Sequence, residues 1–386
     1  VKEGGVKELT RLYVRYHKES ENDPSMDDEA RSYFKLIENG DEECVKLFNL
    51  FKEITLKEVE KIYDELDIKF DSYAGESFYN DKMQPVIDEL AEKGLLVESE
   101  GAKIVDLEKY GMPPCIILRS DGASLYATRD LAAACYRKEH YDFDKCLYVV
   151  AYQQNLHFKQ IFKVLELMGK PWAKDLVHVA YGMVSLLDDN GNQVAMSTRN
   201  GTVVLLEDVL KKCYEKCLEI IEQKNPDLED KENVARQVGT GAVIFGALSN
   251  SKIKDIAFSY SKILNFDGET GPYVQYTAAR IKSVLRKGGA IGKYEIKNVN
   301  EDEYQLIALL STFPDVVKAA AERLEPFFVT RYAIDVASAF NKFYFDCKII
   351  GDDANETNFR LAISSATLTV LSSALTLLGI KVPERM

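Results

Sequence analysis

The sequence predicts an α/β domain with a partial, Rossmann-like parallel sheet and helical insertions, followed by an all-α bundle. A length of 386 residues exceeds one ordinary compact domain, so two domains are expected. A strand–helix–strand pattern spans residues 145–187, and its first strand is almost continuously apolar, which favours a parallel sheet buried on both faces. From residue 206 onward, apolar residues recur at helical spacing almost throughout. This change of period predicts domains at residues 1–255 and 256–386.

The first 141 or so residues divide into helices and then short strands. Residues 6–66 show apolar residues at helical spacing, interrupted by a polar loop at residues 21–25. Short segments bounded by glycine and proline turns follow and predict strands. These strands are expected at residues 68–70, 95–98, 103–106, 115–119 and 124–126, before a helix at residues 131–138.

The remaining elements follow from the same two periods. The strand–helix–strand pattern places strands at residues 145–152 and 176–187 around a helix at residues 157–168. Asp-Asp-Asn-Gly at residues 188–191 predicts a hairpin turn before residues 193–197. The helices of the second domain are expected at residues 206–223, 230–250, 273–287, 301–324, 328–346 and 358–378.

Composition limits the class of protein. No stretch of about 18 uninterrupted apolar residues occurs, so no membrane span is expected. The seven cysteines are scattered without the paired short spacings of zinc sites, so we expect no metal site, no disulfide framework and a cytoplasmic location. A formal net charge of −13 argues against a non-specific nucleic-acid coat. It leaves room for one local basic face: residues 270–294 contain basic residues but no Asp or Glu, although an ordinary solvated helix would also explain them.

Two polar segments lie where strands meet helices, the usual place for ligands in open parallel sheets. Residues 120–130 read Ser-Asp-Gly-Ala-Ser-Leu-Tyr-Ala-Thr-Arg-Asp, and the final Asp130 could equally be the N-cap of the next helix. Residues 148–158 read Tyr-Val-Val-Ala-Tyr-Gln-Gln-Asn-Leu-His-Phe, where the glutamine pair could be surface polarity alone.

Two further segments combine glycine turns with functional side chains. Residues 178–184 read His-Val-Ala-Tyr-Gly-Met-Val, and residues 195–201 read Ala-Met-Ser-Thr-Arg-Asn-Gly beyond the predicted hairpin. Residues 268–280 open a helix with Gly-Pro and place Tyr273, Tyr276 and Arg280 on one face. Aromatic stripes are usually core, but tyrosines beside an arginine also suit stacking on unpaired bases.

Together, in this order, the four segments resemble the arginyl-tRNA synthetases, a class I aminoacyl-tRNA synthetase family. The resemblance implies that Tyr126 and Asp130 hold the guanidinium of the substrate arginine. It also assigns a glutamine at the strand end to that pocket, and Gln154, three residues before His157, fits this position. We interpret His157 itself as a packing residue or a support for the pocket, and not as a catalyst.

The resemblance also implies an ATP site and an anticodon face. Gly182 and Met183 would lie against adenosine, while Met196, Ser197 and Arg199 would belong to the mobile phosphate loop, with Ser197 and Arg199 as its catalytic residues. The loop departs from the class signature, since Ala195 and Thr198 occupy its two lysine positions and Arg199 is the nearby cation. The implied anticodon-side residues are Tyr273, Tyr276, Arg280, Tyr344 and Met386. Tyr344 lies between two phenylalanines, a pattern more typical of core, and Met386 ends a Pro-Glu-Arg-Met tail typical of the family.

The resemblance implies an enzyme that uses arginine, ATP with Mg²⁺ and arginine tRNA, and that involves no membrane. One signature is not in the sequence: none of the four histidines belongs to the His-x-Gly-His motif that binds ATP phosphates in this class. We therefore expect an N-terminally truncated chain that is inactive by itself. The alternative is a non-catalytic tRNA- or RNA-binding protein that retains the anticodon module.

Overall fold

The computed structural model describes residues 1, 3–119, 126–187 and 204–386, with the backbone alone of Leu186. The chain begins with three helices, α1 (Gly5–Ser20), α2 (Ser25–Glu38) and α3 (Glu42–Glu65). They pack on one another, and none of their residues is fully buried. Ile62 near the end of α3 packs against the helices that follow the sheet, which anchors this group to the rest of the protein.

The α/β part comes next and contains two small sheets. Its elements are a 3₁₀ turn (Glu76–Lys82), α4 (Met83–Glu92), β1 (Leu96–Ser99), β2 (Ala102–Val105), β3 (Cys115–Leu118), α5 (Tyr126–Tyr141), β4 (Cys146–Ala151), α6 (Asn155–Leu167) and β5 (Leu176–Tyr181). Strands β1, β2 and β3 form an antiparallel sheet. Strands β4 and β5 pair in parallel through α6, which confirms the predicted βαβ unit. Leu131, Ile161 and Leu165 are fully buried between these layers.

A third, parallel strand pair joins distant parts of the chain. β6 (Val184–Leu186) pairs with β7 (Ile256–Phe258), with Val184 opposite Ile256. The single strand predicted at residues 176–187 is therefore interrupted at Gly182 and Met183, where the chain turns from β5 to β6. A Cβ at Gly182 would clash with the backbone of Lys254, so only glycine allows this close approach.

The rest of the described chain is helical. Its elements are α7 (Leu206–Lys224), α8 (Lys231–Leu248), α9 (Tyr260–Ile263), α10 (Gly271–Gly288), α11 (Glu301–Ser311), α12 (Phe313–Arg323), α13 (Phe327–Asp346) and α14 (Ala354–Leu377). Helices α10, α11, α13 and α14 enclose a second core around Phe340, Phe343 and Leu371. The all-α bundle predicted for the second half is thus confirmed.

Three local predictions are wrong, and one helix was not predicted. Residues 68–70 form no strand, and the unpredicted helix α4 buries Val86 and Leu90 against the α/β core. Tyr126, expected in a strand, is helical in α5. The helix predicted at residues 301–324 is broken at Thr312, because Pro314 lacks the N–H of a helix interior and instead occupies the first turn of α12.

One helix has the length and composition of a membrane span. Helix α14 contains an 18-residue window of mean hydropathy 1.3, of which 44% is buried. Its Leu361, Leu371 and Leu375 belong to the core of the bundle. A core helix of a helical bundle passes the same test, so the absence of membrane association stays a prediction.

Candidate functional site

The first turn of α5 places Tyr126 and Asp130 on one face. The spacing of four residues aligns their side chains along the helix, with Tyr126 67% exposed. Asp130 is the fifth residue of α5, so the interpretation of this residue as an N-cap is wrong. Its carboxylate Oδ2 lies 2.6 Å from Nε2 of His157, and the two side chains are 34% and 22% exposed.

His157 connects the two polar segments that the sequence places at strand ends. Gln154 closes a 3₁₀ turn directly after β4 and is exposed, and α6 then begins at Asn155. The imidazole of His157, in the first turn of α6, reaches across to Asp130 on α5. This hydrogen bond fixes one carboxylate oxygen of Asp130, while Oδ1 has no hydrogen-bond partner within the described ranges. The structure therefore supports a role for His157 in orienting Asp130, beyond packing.

Arg129, next to Asp130, anchors α5 from the opposite side. Its guanidinium is 3.0 Å from Glu38 of α2 and 3.3 Å from Glu76, and its Nε donates to Asn80 at 3.2 Å. Arg129 is only 7% exposed, and the fork geometry of guanidinium suits several carboxylate partners at once. No sequence pattern singled out this anchor, because Arg129 lies between Thr128 and Asp130 in a polar segment.

Replacing Arg129 with Gln is expected to destabilise the full-length protein. Glu38 would lose a nearly buried cation, and a lost charged hydrogen bond costs roughly 1.5–3 kcal/mol of unfolding free energy. Urea denaturation measures the change. Arg31→Gln, which removes an exposed ion pair with Asp28 on α2, is the matched control and should cost less than about 0.5 kcal/mol. Equal stabilities of the two variants would contradict the anchoring role.

The segment predicted to lie against adenosine has a defined backbone. Gly182 is buried and donates its N–H to the carbonyl of Lys252 at 2.7 Å. The N–H of Met183 donates to the carboxylate of Asp255 at 2.7 Å, which leaves the Met183 side chain half exposed. Met196, Ser197 and Arg199 lie outside the described residues, so their assignment to the phosphate loop stays a prediction.

A stacked aromatic and cationic surface forms in the helical bundle. The guanidinium carbon of Arg280 on α10 is 4.9 Å from the ring centre of Tyr276 and 5.2 Å from that of Tyr344 on α13. Tyr276 is 40% exposed and Tyr344 44% exposed, so the alternative of Tyr344 as a core residue does not hold, and its assignment to the anticodon side stays a prediction. Phe343, the residue before it, is the one that is fully buried.

Asn341 of α13 holds this surface together. Its Oδ1 accepts from Arg280 at 2.5 Å, and its Nδ2 donates to the hydroxyl of Tyr273 at 3.0 Å and to Thr277 at 2.9 Å. Tyr273 is partly buried and packs against the helical core, whereas Tyr276 is exposed. The assignment of Tyr273 to the anticodon side stays a prediction. No sequence pattern singled out Asn341 as a member of this surface.

Met386 lies apart from this surface. It packs against the cluster formed by α7 and α8, and the tail that leads to it is tied to α10. Gln275 donates to the carbonyl of Lys381 at 2.8 Å, Lys282 pairs with Glu384 at 2.5 Å, and Arg286 donates to the carbonyl of Glu384 at 3.1 Å. The tail is therefore held on α10, and two of the basic residues at 270–294, Lys282 and Arg286, serve to hold it.

The cysteines are free, and several are deeply buried. Burial raises the pKa of Cys115, Cys213 and Cys217 to about 12 and that of Cys135 to about 11. These thiols stay protonated near neutral pH, where only the thiolate is a nucleophile or metal ligand. Among the described residues, no group of three or more His, Cys, Asp or Glu side chains is arranged to hold a metal ion.

Comparison with known families agrees with this architecture. Residues 1–260 match the model for the catalytic domain of class I tRNA synthetases (R), and residues 274–386 match the DALR anticodon binding domain. A class I tRNA synthetase is thus what the fold and the site define.

Individual relatives narrow the class. The arginine–tRNA ligase of Clostridium beijerinckii is 52% identical in an alignment of 386 positions that covers 99% of this chain and 67% of that protein. That of Halothermothrix orenii is also 52% identical, covering 100% of this chain and 68% of the relative. The Thermus thermophilus arginyl-tRNA synthetase structure superimposes with a TM-score of 0.84 at 26% identity, covering 97% of this chain and 69% of the other. The chain belongs to the arginine–tRNA ligase family and spans about two thirds of the length of these relatives.

Proposed function

We propose that this chain binds arginine beside Asp130 for ATP-dependent activation, and binds the arginine tRNA through its helical bundle. The observation that carries the proposal is the Asp130 carboxylate, held by His157 with its second oxygen left for a ligand. A carboxylate can accept two parallel N–H bonds from a planar guanidinium, a geometry that a lysine ammonium cannot reproduce.

Neighbouring side chains complete the arginine pocket in this proposal. Tyr126 stands one helical turn before Asp130 and offers an exposed ring and hydroxyl. Gln154 ends the turn that leads to His157, and its amide can accept from or donate to the substrate. Because His157 keeps the Asp130 carboxylate in one orientation, little reorganisation is needed when the guanidinium arrives.

The proposed reaction has two steps. An oxygen of the arginine carboxylate attacks the α-phosphorus of ATP, and the bond to the β-phosphate oxygen breaks, which gives arginyl-adenylate and pyrophosphate. A terminal ribose hydroxyl of the tRNA then attacks the arginyl carbonyl carbon, and AMP leaves as the hydroxyl proton is lost. Since no covalent enzyme intermediate forms, the protein contributes positioning and charge stabilisation.

The nucleotide would lie along the turn between β5 and β6. Gly182 and Met183 supply its backbone wall in this proposal, and Ser197 and Arg199 are proposed to act on the departing phosphates. Within the described ranges, no cluster of side chains is arranged to hold a metal ion. We therefore propose that Mg²⁺ arrives bound to the ATP phosphates, whose charge it helps to neutralise.

Tyr276 is expected to act on tRNA and not on small substrates. Base stacking contributes about 1–3 kcal/mol per base, so Tyr276→Ala should weaken tRNA affinity about 5- to 150-fold. Filter binding measures tRNA affinity, and arginine and ATP affinities should be unchanged. Tyr304→Ala removes a 63% exposed tyrosine of α11 and is the matched control. Normal tRNA binding by a Tyr276→Ala protein with a much lower melting temperature would instead assign this tyrosine to the core.

The alternative function is RNA binding without catalysis. The Asp130–His157 pair would have no purpose in a pure RNA binder, which favours the enzyme. Arginine-dependent exchange of pyrophosphate into ATP by the full-length protein tests the choice. Tight tRNA binding without any pyrophosphate exchange would support the RNA-binding protein.

We also propose a cytoplasmic location, which the free cysteines support.

A further inference from the structure

We propose that a groove beside Tyr344 binds one more unpaired nucleotide of the tRNA loop, with Phe345 as its stacking platform. This inference rests on the proposed tRNA-binding function and extends its surface beyond Tyr276, Arg280 and Tyr344. The groove has a volume of about 470 Å³, within the range of roughly 300–1,000 Å³ typical of small-ligand pockets.

Phe345 is the first observation behind the proposal. Its side chain is 88% exposed at the end of α13, the largest exposed fraction among the large apolar side chains of the described residues. It makes no ring contact with any other described side chain. Scattered exposed apolar residues are common, so exposure alone assigns nothing. The neighbours of this ring decide the interpretation.

The floor of the groove is apolar and its walls are cationic. Val284, Cys347 and Ile349 are buried beneath it, and Arg280, Lys287 and Lys348 line it, whereas none of its described lining residues is acidic. Lys287 makes no ion pair within the described chain. Lys348 lies 3.9 Å from Asp352 in a fully exposed pair, which contributes little. In a protein of net charge −13, this local arrangement attracts an anion.

A nucleotide matches both halves of this chemistry. A base can stack on Phe345 and cover its apolar face, while its phosphates approach Lys287 and Lys348. The groove is also continuous with the proposed tRNA face, because Arg280 and Tyr344 line it. A protein partner would gain from burying Phe345 but would leave the three cations without a counter-charge.

The test uses the full-length protein, its arginine tRNA, and a hairpin RNA with the same anticodon loop. Phe345→Ala should weaken the affinity for both RNAs about 5- to 150-fold, as expected for the loss of one stacked base, and Phe345→Trp should retain the affinity. Tyr304→Ala remains the control. Lys287→Gln with Lys348→Gln should reduce the slope of log affinity against log salt by about 0.7 per lost contact.

A thermodynamic cycle identifies the nucleotide. A set of hairpins is made, each with a single abasic position, and the affinity of each is measured for the wild type and for Phe345→Ala. At the position that stacks on Phe345, the base is already absent, so Phe345→Ala should not weaken binding any further. Two results would overturn this proposal and leave the proposed tRNA face intact. In the first, Phe345→Ala binds RNA as tightly as the Tyr304→Ala control, while Tyr276→Ala binds RNA more weakly. In the second, Phe345→Ala abolishes self-association of the protein without changing its RNA affinity. If Tyr276→Ala also binds normally, the proposed tRNA face fails with it. Melting temperatures confirm folding, which a side chain this exposed should not influence.

Discussion

Asp130→Asn is expected to reduce arginine activation by the full-length protein about 10- to 150-fold. The amide would keep the shape of the side chain but remove its charge, and a lost charged hydrogen bond costs roughly 1.5–3 kcal/mol. The amide would also point its NH₂ group at either His157 or the guanidinium of the substrate, whereas the carboxylate offers a hydrogen-bond acceptor to both. Arginine-dependent pyrophosphate exchange measures the loss.

The control and a second substrate sharpen this experiment. Asp144→Asn makes the same change at an exposed position between α5 and β4 and should leave exchange unchanged. With the unsubstituted protein, lysine and citrulline should be rejected by about 10⁴-fold or more, because neither offers Asp130 the paired N–H groups of a charged guanidinium. Unchanged exchange in Asp130→Asn would remove this residue from the arginine pocket.

No measurable arginylation is expected from a polypeptide limited to the 386 printed residues. The reaction needs cationic or N–H groups that bind the phosphates as charge moves onto pyrophosphate, and such contacts act mainly on the transition state. The available histidines already have other contacts. His157 pairs with Asp130, His178 Nε2 is 2.9 Å from the carbonyl of Val150, and His140 stacks on Tyr136. Ala195 and Thr198 occupy the lysine positions of the phosphate loop.

The same polypeptide should still bind tRNA through α10 and α13, so binding serves as the internal control. Aminoacylation is measured with radiolabelled arginine, beside the full-length protein at equal concentration. Circular dichroism establishes that the polypeptide is folded. Sustained charging of tRNA by the 386 residues would show that phosphate binding needs no His-x-Gly-His motif, or that the assigned residues are not the catalytic ones.

Regular local patterns allowed much of the fold to be predicted. The continuous apolar run at residues 145–152 predicted β4 but not its burial, since Tyr148 is buried whereas Leu147 and Val149 are exposed. The expectation that this strand is buried on both faces is therefore wrong. Helix α4 was missed although Met83, Val86, Ile87 and Leu90 recur at the i, i+3, i+4, i+7 spacing of a helix. For Tyr344, local composition left core and surface both open, since an end of α13 that faces solvent has the same composition as one that faces the core.

The site was less predictable because its contacts join distant segments. Asp130 and His157 are individually visible, but their hydrogen bond depends on how α5 and α6 cross the sheet edge. The ion pair between Arg129 and Glu38 depends on where α2 lies. The hydrogen bond from Arg280 to Asn341 depends on how α10 packs on α13. Side chains of this kind have no periodicity of their own, so a single sequence carries no signal for their partners.

The parallel pairing of β6 with β7 has a consequence for the order of folding. The two strands flank the whole α7–α8 hairpin, whose helices meet through a short connection and bury Cys213, Cys217 and Val238. Closing a long loop costs entropy, and that cost falls when the intervening chain is already compact. The hairpin can therefore form early from local contacts and bring Val184 and Ile256 together afterwards. The backbone wall around Gly182 would then be among the last parts of the domain to assemble.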